Sequence, residues 1–330
     1  MRIICDAPGQ TCNLNYKDIS TYRSELMGWA ILWIMMLHFT FTQIKPLGFI
    51  AQYGFAGVEM FILVSGLGLF YSLDKDNNPI KFYKKRLLRI FPTYYIIGIF
   101  GSIFLYHDNL LDYLFRYTTI GYWTGGKYGE WYIPALVSLY LLAPVFKLLF
   151  DKRWFTVLGA LSIGCLLIAY YFVDKEHILD RRFFFLLYRI PAFILGMACA
   201  YWIKHNISSK YFLFLLIAGI PFFIFLFPKH HEFYNYKYFS LFFLLPFFVI
   251  IFVYISKYFK FINPIISTIG NASLEIYLIQ GIFFSAILQG LITPDPSWHD
   301  TITIAFILLS CLLGILTHWF IDKIGINRLL

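Results

Sequence analysis

Charge is scarce in this chain: only 14% of its 330 residues are Asp, Glu, Lys or Arg, against an apolar fraction of 60%. Soluble domains carry about a quarter charged and about half apolar residues. A soluble globular fold is therefore excluded and a polytopic membrane protein expected, in line with a mean hydropathy of +0.69. Cysteine is scarce too. Cys5 and Cys12 have no Cys or His partners at metal-site spacing. Cys165, Cys199 and Cys311 fall in apolar runs and read as small core residues, while Cys5 and Cys12 stand in a polar stretch. No Gly-, Ser- or Pro-rich linker divides the chain, and no internal repeat is evident. Residues 1–22 lack the apolar core and small-residue site of a cleavable signal peptide.

What fills the chain instead is long apolar segments. Polar breaks separate about ten candidate spans near 27–43, 53–73, 90–106, 131–150, 155–173, 183–203, 211–227, 238–256, 265–289 and 302–320. The expected fold is an all-α membrane bundle of about ten transmembrane helices. A short cytoplasmic segment, 1–26, would precede a single bundle, 27–330. Pro92 and Pro221 weaken the third and seventh spans, although proline is tolerated where neighbours satisfy the freed carbonyl. With the N-terminus cytoplasmic, inside segments hold 18 Lys and Arg residues and outside loops hold 8. The positive-inside rule then predicts both termini in the cytoplasm. The same asymmetry accounts for the net charge of +9 without nucleic acid.

Against that background His38 stands out. It lies in MGWAILWIMMLHFTFTQ, roughly 16 Å along the helix from Met27 at 1.5 Å per residue. An ionisable residue at that depth is a functional-site candidate, and imidazole is the usual general base near neutral pH. The plainer reading is a neutral imidazole bonded to an adjacent helix. The densest basic stretch, KFYKKRLLRIFPTYY (81–95), places Arg86 and Arg89 on one helix face against the apolar span. Two guanidinium forks there suit a phosphorylated ligand, whereas Lys81, Lys84 and Lys85 read as topogenic charge. Glu59, Glu130, Arg189 and Glu275 lie in or beside apolar spans. Glu59 and Arg189 either pair with each other as structural glue or line the cavity around His38. Gly66 and Gly68 read as points of close helix approach.

In order along the chain, ELMGWAILWIMMLH, GVEMFILVSG, RLLRIFPTYY, EWYIPALVSLYLLAPV, YRIPAFILGM and IGNASLEIYLIQ resemble the motifs of the integral-membrane acyltransferase-3 family of bacterial O-acyltransferases. The resemblance implies transfer of an acyl group, usually acetyl, from a cytoplasmic acyl-CoA-type donor. The acceptor would be a hydroxyl of a cell-surface polysaccharide or its lipid-linked precursor. It implies His38 as general base, with Glu59 orienting or charge-balancing the imidazole. Arg86 and Arg89 would hold the donor phosphates, and Trp131, Arg189 and Gln280 would contact substrates. It further implies a multi-pass protein of the bacterial inner membrane, with no metal and no bound cofactor besides the acyl-CoA substrate.

The chain departs from that family at two positions. Met27 stands eleven residues before His38, where a basic residue is usual and where the helix returns to within about 20° of the same face. Arg23, one turn lower and about 60° off that face, can substitute with its long side chain. Gln280 stands where histidine often closes the penultimate motif, and an amide does not titrate. Non-catalytic alternatives on the same scaffold are a glycan exporter or a sensor. A glycan polymerase would need a larger catalytic outer loop than 107–130, which offers only Arg116 and His107.

Overall fold

A computed structural model describes residues 16–76, 78–126, 129–172, 181–207, 217, 234–292 and 298–325. Every regular element among them is helical. The first eight helices are α1 (Tyr16–Thr21), α2 (Arg23–Phe39), α3 (Lys45–Ala51), α4 (Ala56–Lys75), α5 (Pro79–Gly101), α6 (Leu110–Tyr117), α7 (Ile120–Thr124) and α8 (Tyr132–Asp151). They are followed by α9 (Phe155–Phe172), α10 (Arg181–Leu187), α11 (Arg189–Lys204), α12 (Tyr234–Tyr258), α13 (Asn263–Asn271), α14 (Ser273–Leu288) and α15 (His299–Ile324).

Seven helical segments among the described residues are long and apolar enough to cross a membrane. The total rises to eight if Lys260–Asn271 and Ser273–Leu288, bent by 70° at Ala272, count as one broken span. The expected count of about ten is not reached among the described residues, which leave out most of one predicted span. The predicted span 211–227 lies outside the described residues, apart from position 217. The first predicted span, 27–43, is the 17-residue helix α2, which starts at Arg23 and ends at Phe39. The third starts at Pro79 rather than residue 90, because Asn78 caps it by accepting from the backbone N–H groups of Ile80 and Lys81. Arg86 and Arg89 therefore sit within α5 on one helix, as expected.

The core forms where the sequence is apolar on all sides. The spanning window of α4 is 83% buried inside the protein, against 28% for α9 and 22% for α15, so α4 is central and the latter two face outward. Between apolar helices in lipid, close packing replaces the hydrophobic effect as the main attraction. Here α4 meets α11 backbone to backbone: a Cβ on Gly66 would collide with the carbonyl of Phe193, and one on Gly196 with that of Leu63. The expected role of Gly66 is thus observed. Gly68 instead makes room for the guanidinium of Arg23. Cys165, Cys199 and Cys311 are buried free thiols, as expected.

The end of α2 is set from α15. Thr40 turns out of the helix at φ 53°, and Asp300 accepts from the N–H groups of Thr42 (2.8 Å), Gln43 (3.0 Å) and Ile44 (2.6 Å). Thr303 places its hydroxyl 3.0 Å from the carbonyls of both Phe39 and Thr40. Residues 40–43 read as helix because they are apolar or neutral; the competing partners lie more than 250 residues away. At the opposite end Lys147 joins Asp74 (3.3 Å) and Asp151 (2.6 Å), and Lys204 also reaches Asp74 (2.7 Å), tying α4, α8 and α11 together.

Candidate active site

His38 occupies the last turn of α2, with its Nδ1 2.7 Å from Oε1 of Gln280 on α14. The amide of Gln280 is held in turn, because its Nε2 donates to the carbonyl of Tyr277 at 3.1 Å. Its oxygen therefore faces the imidazole, Nδ1 carries the proton, and Nε2 keeps the lone pair. Phe284, one turn along α14, stacks on the ring at 4.5 Å and 14°. The residue that departs from the usual motif is the one that sets the histidine's tautomer and orientation.

The imidazole lines a cavity of about 420 Å³ with Glu130, Trp131, Arg182, Phe284 and Ser285. That size falls in the range of roughly 300–1,000 Å³ typical of small-ligand sites. A larger cavity of about 550 Å³ lies between α9, α11 and α12, but its lining is almost wholly apolar, with Ser162 and Tyr201 among the few polar groups. It offers no general base, so the smaller, more polar cavity is the candidate reaction site.

Glu59 and Arg189 are both buried and approach each other at 3.3 Å. Of the two readings open from sequence, the pairing is what the fold contains. Arg189 also lies 4.9 Å above the ring of Trp131, and Trp131 stacks on Phe185 at 4.8 Å. The pair therefore stands behind the aromatic wall of the cavity. The partner bonded to His38 is Gln280 rather than Glu59, and the role expected of that carboxylate passes to a neutral amide.

Arg23, Arg86 and Arg89 gather at the other end of α2. Arg23 and Arg86 each feel the charge of Arg89 and the hydroxyl of Tyr140, and Arg86 also feels Arg23. None of the three is ion-paired among the described residues, and Nε of Arg86 is buried without a hydrogen bond. Two carboxylates at this end, Glu275 and Asp322, are engaged by His318 at 3.2 and 3.4 Å. Three guanidinium groups gathered without an ion pair among the described residues make a candidate anion site. The structure thus brings Arg23 to the Arg86/Arg89 pair and not to His38, fifteen residues and about 22 Å away along α2.

Comparison with known proteins resolves the class. The profile of the acyltransferase-3 family, described as an acyltransferase domain, matches residues 26–321. The chain belongs to the acyltransferase-3 family. The match takes in α2 from Leu26 onward and runs into α15, so both the His38 cavity and the Arg86/Arg89 pair belong to the acyltransferase-3 domain. Arg23 falls just before it. A relative from Acidianus two-tailed virus, named "Putative acetyltransferase ORF330", is 28% identical over 189 residues. That alignment covers 54% of this chain, and the chain spans 56% of the viral protein's length. No solved structure matches.

Sequence reasoning marked Glu130 only as a polar residue at the edge of a span, and it missed Arg182 and Ser285. A usable signal existed for Glu130, because it directly precedes Trp131 in the EWYIPAL motif.

Proposed function

We propose that this protein is a membrane O-acyltransferase that moves an acyl group, acetyl in the simplest case, from an acyl-CoA donor to a hydroxyl of a cell-surface glycan or its lipid-linked precursor. The observation that carries this reading is an imidazole whose Nδ1 is held by Gln280 and whose Nε2 is left as a base in a cavity wall. The cavity lies one helix length from an arginine cluster that has no ion pair among the described residues. Arg23, Arg86 and Arg89 hold the donor phosphates at the cytoplasmic face. The phosphopantetheine arm carries the thioester along α2 toward His38. Nε2 then removes the acceptor proton as that oxygen attacks the thioester carbonyl. Trp131, backed by Arg189 and Glu59, offers an aromatic face of the kind on which sugar rings pack. The protein resides in the bacterial inner membrane with both termini in the cytoplasm, as the 18 to 8 distribution of basic residues supports.

Mass spectrometry of surface glycans tests this reading. Cells carrying His38→Ala, expressed at the wild-type level, should lose the acyl mass that wild-type cells add to their glycan. Unchanged glycan acylation in that strain would remove the catalytic reading and leave a non-catalytic exporter or sensor.

A further inference from the structure

The site has a base but no obvious acid. Gln280, which holds His38, is neutral, and the Glu59 carboxylate is committed to Arg189. Yet thioester transfer needs two proton movements: one away from the acceptor hydroxyl, and one toward the departing sulfur. The carboxyl on the described cavity wall is that of Glu130, in the turn ahead of α8.

Its placement follows from α14. Gln280 and Phe284 face the imidazole, while Gly281 and Ser285 border the same cavity. A Cβ on Gly281 would collide with the carboxylate of Glu130, so glycine is what lets that carboxyl reach α14 one residue from the histidine's partner. The backbone N–H of Glu130 donates to the hydroxyl of Tyr94 at 3.2 Å, fixing the turn. No hydrogen bond or ion pair engages its carboxylate among the described residues. Tyr94, Tyr106 and Tyr117 line the small recess behind it. Arg182, in the same cavity, is engaged with the carbonyl of Tyr122. Burial pushes the Glu130 carboxyl up to about 7, so the protonated form is well populated at neutral pH.

We propose that Glu130 is the general acid that complements His38, protonating the sulfur of the departing thiolate. This rests on the acyltransfer reading above. The steps balance. Nε2 of His38 takes the hydroxyl proton as the acceptor oxygen bonds to the carbonyl carbon. The tetrahedral oxyanion collapses, the C–S bond breaks, and sulfur takes the proton of Glu130 and leaves as the thiol. The imidazolium then returns its proton to the Glu130 carboxylate across the emptied cavity, restoring both groups.

The test uses the leaving group. An aryl thiol is more acidic than coenzyme A, so its thiolate departs without protonation. Membrane vesicles from producing cells supply the native acceptor, and the donors are radiolabelled acetyl-CoA and the radiolabelled acetyl thioester of 4-nitrothiophenol. Label transferred above the His38→Ala background is measured. Glu130→Gln should lose about 10²- to 10⁴-fold with acetyl-CoA, the usual worth of a general acid, and stay near wild type with the aryl donor. Glu130→Asp, which keeps an acid, should recover part of the loss. Equal losses with both donors, or no loss with either, would overturn the proposal while leaving acyl transfer in place. Wild type no better than His38→Ala with acetyl-CoA would overturn the acyltransfer reading itself, and the proposal with it.

Discussion

Gln280 stands 2.7 Å from Nδ1 of His38 and spends its own amide N–H on the Tyr277 carbonyl, so a residue that cannot titrate decides where the histidine's proton sits. Gln280→Leu should therefore lower turnover by about tenfold or more, by releasing the tautomer and the ring orientation. Gln280→Glu should retain more activity, because a carboxylate also accepts from Nδ1–H. Initial-rate measurements on both variants check this. Equal activity in Gln280→Leu and wild type would show that the hydrogen bond is packing alone.

The arginine cluster leads to a different kind of prediction, one about donor affinity. Arg86→Lys and Arg89→Lys replace a planar fork with a point charge and should raise the KM for acetyl-CoA several-fold with little change in kcat. Arg23→Ala should do the same, since Arg23 lies with this pair rather than beside His38. Lys81, paired with Asp76 at 2.7 Å on the surface, should tolerate change to Gln. Comparable KM increases in all four variants would point to general surface charge rather than a site.

Glu59 and Arg189 make a stability prediction. Removing one member of a buried pair strands the other charge and costs about 3–5 kcal/mol, whereas removing both with apolar replacements can be nearly neutral. Arg189→Met should thus destabilise strongly in thermal unfolding from detergent, and Glu59→Leu/Arg189→Met should recover much of the loss. Activity in the double variant should stay low, because Arg189 also lies against Trp131 at the cavity wall. A double variant as unstable as Arg189→Met would show that the pair is more than mutual charge compensation.

That an apolar helix carries His38 and that Arg86 and Arg89 share one helix were legible from sequence, because hydropathy runs and helical periodicity fix both. Which residues meet across the bundle was not. Gln280 reaches His38 from 242 positions away, and Asp300 ends α2 from as far again, contacts that no local periodicity encodes. The break at Ala272 was hidden for a related reason: residues 265–289 are apolar on both sides of it, so hydropathy reads one span where the backbone bends by 70°. Glu59 and Arg189 illustrate the limit. Two opposite charges in apolar spans predict a pair, but not that the pair would stand behind Trp131.

The last prediction concerns pH and Glu130, which lies in the turn ahead of α8, outside the spanning helices. Burial raises its carboxyl from 4.5 to about 7 in the folded protein. Below pH 4.5 the group is protonated folded or unfolded and contributes no pH dependence. Between 4.5 and 7 the unfolded chain has lost its proton while the folded one keeps it, so the native state binds more protons and stability falls as pH rises. The fall totals about 3 kcal/mol at 1.36 kcal/mol per unit, and it levels off above 7. Glu130→Gln cannot ionise, so it should match wild type near pH 4 and exceed it by about that amount at pH 8. Unfolding of both proteins across this range, read as the difference between them, cancels the titration of every other group. A difference that stays flat from pH 4 to 8 would mean that Glu130 titrates as an ordinary carboxylate, and it could then hold no proton for the leaving sulfur at neutral pH.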